Sequence, residues 1–211
     1  MTIEEILRLS PVMPVVTISD AERAVPLARA LVAGGIRTVE VTLRTHAALA
    51  AVAAIAKEVP EAVLGVGTVL SARDLKDAHD AGAAFAISPG ATPALLEAGH
   101  HGPLPFLPAV ATASELMAGL EHGFTAFKLF PASLVGGPAA LKALAGPFPG
   151  ARFCPTGGIS LASASEYLAL DNVLCVGGSW VAPEAAIEAG EFARIEALAR
   201  EAAALLTQRG R

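Results

Sequence analysis

Apolar and polar positions along this chain follow two distinct periods. Short runs rich in β-branched and aromatic residues place an apolar side chain at every second position. Between them lie alanine- and leucine-rich stretches whose apolar positions recur every three to four residues. The first pattern predicts strands near 14–19, 38–44, 63–69, 84–88, 105–109, 126–130, 152–155 and 173–176, and the second predicts helices between them. Glycine stops at Gly34-Gly35, Gly82 and Gly123 each precede a strand, as helix C-caps do. Ser71, Thr92 and Thr112 stand at helix starts, and Glu115, three residues after Thr112, completes a capping box. The opening Met1-Thr2-Ile3-Glu4-Glu5-Ile6-Leu7 is an amphipathic, acidic helix and not a signal peptide.

Eight strand–helix units spaced by roughly 20–25 residues predict one α/β domain over residues 1–211, a (β/α)8 TIM barrel with an N-terminal helix. An open doubly wound sheet would carry a glycine fingerprint in its first βα turn. That turn, Ile18-Ser19-Asp20-Ala21-Glu22, contains no glycine.

Composition narrows the function. With 211 residues, 54% of them hydrophobic, the chain can bury a substantial core, and only 5% aromatic content makes that core one of small aliphatic side chains. A net charge of −5 without basic runs argues against a nucleic-acid partner, and no apolar run is long enough to span a membrane. Cys154 and Cys175 fall within strands and lack CxxC spacing. They read as small buried hydrophobes in a reducing cytoplasm, and not as a disulfide or metal pair.

Against this background one residue stands out. Lys128 occupies the middle of Phe124-Thr125-Ala126-Phe127-Lys128-Leu129-Phe130-Pro131, whereas Lys57, Lys76 and Lys142 lie in polar-faced helical segments. Burying an ammonium costs several kcal/mol unless it is paired or deprotonated. Desolvation favours the neutral amine, a nucleophile towards carbonyls. The alternative is a lysine at the end of an edge strand, its head reaching solvent. Strand alternation sets Val39, Val41 and Leu43 on one face and Glu40, Thr42 and Arg44 on the other, and places Lys128 with Ala126 and Phe130. Packing the apolar faces against helices turns Glu40, Thr42, Arg44 and Lys128 into the barrel. A purely structural ion-pair cluster is one reading. The functional reading makes Lys128 the nucleophile, Glu40 a proton shuttle, and Arg44 an anion clamp that also favours the neutral lysine.

Two Gly-Gly pairs, Thr156-Gly157-Gly158-Ile159-Ser160 and Val176-Gly177-Gly178-Ser179-Trp180, follow the seventh and eighth strands. These loops are where (β/α)8 barrels seat phosphate, on backbone N–H groups and a helix N-terminus; plain turns are the other reading. Thr68 and Ser88-Pro89-Gly90 sit on the same rim, and Thr68 suits either a carboxylate contact or a turn. His46, His79, His100, His101 and His122 show no convergent spacing, so no metal site is expected.

The pieces Glu40-Val41-Thr42-Leu43-Arg44-Thr45, Gly65-Val66-Gly67-Thr68-Val69, Ser88-Pro89, Phe127-Lys128-Leu129-Phe130-Pro131-Ala132, Phe153-Cys154-Pro155-Thr156-Gly157-Gly158 and Val176-Gly177-Gly178-Ser179-Trp180 together resemble the class I 2-keto-3-deoxy-6-phosphogluconate (KDPG) aldolases, over nearly the whole chain and in order. The resemblance implies a metal-independent homotrimeric barrel without a cofactor, acting on a phosphorylated keto acid. It makes Lys128 the Schiff-base residue and Glu40 the acid/base. Arg44 and Thr68 would hold the carboxylate, with Pro89 and Phe130 shaping the pocket. Thr156, Gly157, Gly158, Gly178 and Ser179 would take the distal hydroxyl and phosphate. Thr156 matches the gluconate-cleaving branch, since the branch cleaving the galactonate epimer tends to an apolar residue there. The implied reaction is cleavage of KDPG to pyruvate and D-glyceraldehyde 3-phosphate in the Entner–Doudoroff pathway, with 4-hydroxy-2-oxoglutarate as a further substrate. Alternatives are the galactonate epimer, another phosphosugar barrel enzyme such as an epimerase or a thiazole-phosphate transferase, and a silent phosphosugar-binding protein.

Overall fold

Parallel strands and helices alternate along the structure, a computed structural model that describes residues 1–206. After helix α1 (Ile3–Leu7) come β1 (Val12–Val16), α2 (Ala24–Ala33), β2 (Thr38–Thr42), α3 (Ala48–Glu58), β3 (Val63–Gly67), α4 (Ala72–Asp80), β4 (Phe85–Ile87) and α5 (Pro93–His101). The second half runs β5 (Phe106–Leu107), β6 (Ala109–Val110), α6 (Ala113–Glu121), β7 (Ala126–Leu129), α7 (Gly137–Ala145), β8 (Arg152–Pro155), α8 (Leu161–Leu168), β9 (Val176–Gly178), α9 (Glu184–Glu188) and α10 (Phe192–Ala203). The fold is α/β with a curled parallel sheet. A six-stranded portion has the order β5-β4-β3-β2-β1-β9, and a three-stranded portion has the order β6-β7-β8.

Strands are shorter than the sequence pattern suggests, and two of them differ in kind. The run expected at 105–109 is divided at Pro108, which has no N–H for a ladder, although its carbonyl still accepts from Lys128 N at 2.9 Å. The last strand begins at Val176, three residues later than the start expected at 173. Val173 pairs with Phe153 in an isolated bridge, and Thr156 bridges Gly177.

Alternation sorts the side chains into two clusters. Val39, Val41, Val66, Phe127, Leu129 and Phe153 pack outward with helix residues such as Leu27, Leu31, Val52 and Ile55. Met13, Phe85, Ile87, Leu107, Ala126, Cys154 and Leu174 pack inward, where Ile6 and Leu7 of α1 join them. Thr2 and Glu5 hold α1 in a capping box, which fixes the helix whose Ile6 and Leu7 enter that inner cluster. The capping box at Thr112 and Glu115 is present, and Ser71 and Thr92 accept from Asp74 N and Leu95 N as N-caps do.

Candidate active site

Inside the curl of the sheet, β2 and β7 bring together the two charges read from alternation. Lys128 is 5% exposed and Glu40 is 2% exposed. Lys128 Nζ donates to Glu40 Oε1 at 3.0 Å and to Oε2 at 3.3 Å. Both groups are almost wholly shielded from solvent, and each satisfies the other's desolvated polar atoms, the condition under which a buried pair persists. Nζ also lies 5.4 Å from the centroid of the Phe130 ring.

Gly67 makes room for this pair. A Cβ built on it would lie 2.0 Å from Glu40 Oε1, so only glycine lets the carboxylate occupy that place. The next residue, Thr68, is half-buried and holds φ at +62°, the left-handed region that a β-branched residue rarely adopts. Backbone strain of this kind concentrates at functional sites.

Phe130 also borders a cavity of about 290 Å³ whose lining includes Arg44, Thr156, Gly157, Gly158, Gly178 and Ser179. The two glycine loops expected to bind phosphate therefore converge on one chamber. Gly157 and Gly158 have φ of +102° and +73°, and Ser160 caps α8 just beyond them, so backbone N–H groups and a helix start face one region. Thr156 is buried against Gly177, where a Cβ would come 2.2 Å from its Oγ1. Trp180 packs over Gly178 in the same way, a Cβ there lying 1.6 Å from the indole ring.

Three expectations need correction. Arg44 does not share the interior with Glu40 and Thr42. The strand ends at Thr42, and Arg44 is exposed in the turn beyond it, on the cavity wall. A third buried charge beside the Lys128–Glu40 pair would lack a partner, whereas the turn lets the guanidinium hydrate. Pro89 does not line this cavity; it borders a neighbouring cleft with Leu70, Gly90 and Leu95. The histidines, which lack convergent spacing in sequence, do converge in part. His100, His101 and His122 line one surface cavity with Glu97 and Glu121, because α5 and α6 are neighbours that end on the same side. His122 is tied to the Ala118 carbonyl oxygen at 2.8 Å, and His101 to Glu97 at 3.2 Å. Among the described residues no three His, Cys, Asp or Glu side chains are disposed to hold a metal ion.

Sequence patterning overlooked Thr17, Val15, Ile159, Ala182 and Glu184, which also line the cavity. Thr17 directly follows β1, the strand that pairs with β9, and its apolar neighbours Val16 and Ile18 gave no hint of a polar role. Cys154 and Cys175, both buried thiols, lie with sulfurs 3.5 Å apart.

Comparison with known proteins agrees with this geometry. Residues 3–198 match the family model for KDPG and KHG aldolase. The KHG/KDPG aldolase of Escherichia coli (strain K12) is 56% identical over 199 residues, covering 94% of this chain and 93% of that protein. The KDPG aldolase of Legionella pneumophila, solved with pyruvate captured as a covalent carbinolamine intermediate, superposes with a TM-score of 0.93 at 47% identity, covering 95% of this chain and 97% of the other. The Zymomonas mobilis ZM4 enzyme, solved with 3-phosphoglycerate, gives a TM-score of 0.90 at 50% identity, with coverage of 96% and 95%.

Proposed function

The chain belongs to the KDPG and KHG aldolase family, and on that premise we propose that it is a class I aldolase that cleaves KDPG to pyruvate and D-glyceraldehyde 3-phosphate. The observation that carries this reading is the buried Lys128–Glu40 pair beside a chamber lined by two glycine loops. Transfer of a proton from Nζ to the Glu40 carboxylate leaves an amine lone pair that attacks the C2 ketone. The carbinolamine so formed loses water as Glu40 returns a proton, giving the protonated imine. That cation is the electron sink. Removal of the C4 hydroxyl proton breaks the C3–C4 bond, the aldehyde phosphate departs, and the electron pair rests in the enamine. Protonation at C3 and addition of water release pyruvate and restore the lysine. One carboxylate within hydrogen-bond reach of the nitrogen serves the successive transfers, and the route needs no metal or other cofactor.

Arg44 and Thr68 are the proposed carboxylate ligands, with Phe130 bounding the pocket. Thr156, Gly157, Gly158, Gly178 and Ser179 are the proposed hydroxyl and phosphate ligands. Binding of the remote phosphate holds C2 against Lys128 and so contributes to the rate. The same lysine would act on 4-hydroxy-2-oxoglutarate, releasing pyruvate and glyoxylate.

We further propose that the whole chain is one (β/α)8 barrel. Support comes from the split at Pro108, which makes β5 and β6 halves of one strand, and from the Thr156–Gly177 bridge between β8 and β9. A homotrimer in the cytoplasm is the proposed working form, and the exposed Leu70, Met117 and Leu134 offer apolar surface for assembly. The test is incubation with pyruvate and borohydride followed by peptide mapping. Reduction should leave a stable adduct on Lys128, and a protein that turns over KDPG without one would refute the mechanism.

A further inference from the structure

We infer that Thr17 accepts a hydrogen bond from the C5 hydroxyl of the six-carbon substrate and so helps select the phosphorylated hydroxy acid over shorter ones, an inference that rests on the aldolase reading above. Thr17 Oγ1 lies 3.1 Å from Thr42 Oγ1, and Thr42 Oγ1 lies 3.1 Å from the carbonyl oxygen of Val16. Each hydroxyl has one proton, and a carbonyl oxygen can only accept. Thr42 is 1% exposed and donates to Val16, so the bond between the two hydroxyls is donated by Thr17. Both protons are committed within the protein. What Thr17 turns to the cavity it lines is therefore a lone pair.

That polarity differs from the groups beside it. The Arg44 guanidinium and the backbone N–H groups of the glycine loops are donors suited to phosphate or carboxylate oxygens. An acceptor repels those oxygens and matches a hydroxyl. Strand register sets which hydroxyl. Val15 pairs with Glu40 and Val16 with Val41, so Thr17 stands level with Thr42, two residues beyond the Glu40 level on the cavity side. Two residues of strand advance about 6.5 Å. With C2 on Lys128 and C4 served by Glu40, the part of the substrate at that distance is C5 and the phosphorylated end.

Thr17→Val keeps the side-chain shape and removes the acceptor, and Thr17→Ser keeps the acceptor. The valine variant is expected to lose about three- to tenfold in kcat/KM on KDPG, mainly through KM, the loss of one hydrogen bond. On 4-hydroxy-2-oxoglutarate, which carries a carboxylate where KDPG has its C5 hydroxyl, the same variant should be unchanged or improved. Pyruvate trapping on Lys128 should be unchanged, and the serine variant should match wild type. Full activity of the valine variant on KDPG, an equal loss on both substrates, slower pyruvate trapping, or a serine variant as impaired as the valine one would each overturn the inference. Wild-type protein that neither traps pyruvate nor cleaves KDPG would overturn the aldolase reading, and with it this one.

Discussion

Lys128 Nζ donates to both oxygens of Glu40, at 3.0 and 3.3 Å, across 88 residues of sequence. Among the described residues each is the other's ion-pair partner in a nearly solvent-free place, so removing one leaves the other's charge buried and unpaired.

Lys128→Met should therefore abolish imine trapping and turnover and also lower stability. Leaving a buried carboxylate without its partner costs about 3–5 kcal/mol, which for a chain this size lowers Tm by about 6–20 °C. Combining it with Glu40→Gln removes the orphaned charge and should recover most of that loss while activity stays null. Calorimetry on the two variants decides this; no recovery in the double variant would mean that the pair is not coupled as described.

Glu40→Gln alone retains the amine but removes the proton acceptor. Borohydride should still capture pyruvate slowly on Lys128, while kcat falls by about 10²–10⁴. Mass spectrometry of the trapped protein separates this from a collapsed site, which would give no adduct at all.

Gly67→Ala tests the space beneath the carboxylate. The new methyl would sit 2.0 Å from Glu40 Oε1 and must push it away from Nζ. A misplacement of about 1 Å at a reacting group costs on the order of 10²-fold, so kcat should drop by about that factor with KM little changed. Normal kcat in a folded Gly67→Ala protein would show that Glu40 tolerates displacement.

Arg44→Lys exchanges a planar two-donor fork for a point charge at the exposed cavity wall. KM should rise by about tenfold, the loss of roughly one charged hydrogen bond. Trp180, the single tryptophan, packs over Gly178 in that wall, so its emission gives a direct binding curve for substrate or phosphate. An unchanged curve would remove Arg44 from the binding machinery.

Tyr167, the single tyrosine, is buried in the outer apolar cluster, its hydroxyl beside Gly137 of α7. Burial first, and the Glu166 carboxylate second, push its phenol above the usual 10.0. A folded-state value above the unfolded one means that this contribution to stability is whole below about pH 10 and is lost as pH rises through the folded value. Ultraviolet titration should give a midpoint above 10 in the native protein, with Tm falling over the same range, and a midpoint at or below 10 would contradict the burial.

Alternating apolar residues in β2 and β7 were enough to put Glu40 and Lys128 on one face, because side-chain direction along a strand is a local property of period two. The helix caps at Ser71, Thr92 and Thr112 and the glycine turns were legible for the same reason, since each involves residues a few positions apart. Motifs carried the family. Other features depended on where strands stop and which neighbour lies alongside. Nothing around Arg44 in sequence says that β2 ends at Thr42 and returns the guanidinium to water. Thr17 was placed on the cavity wall, level with Thr42, only by strand register, and Gly67 came to lie against Glu40 only when β3 paired with β2. Pro89 fell outside the chamber through the course of the loop after β4. Local pattern was enough to say which faces are apolar and which polar residues interrupt them. Tertiary structure decided distances and exposures, because these are set by pairing between segments far apart in the chain, which no local pattern records.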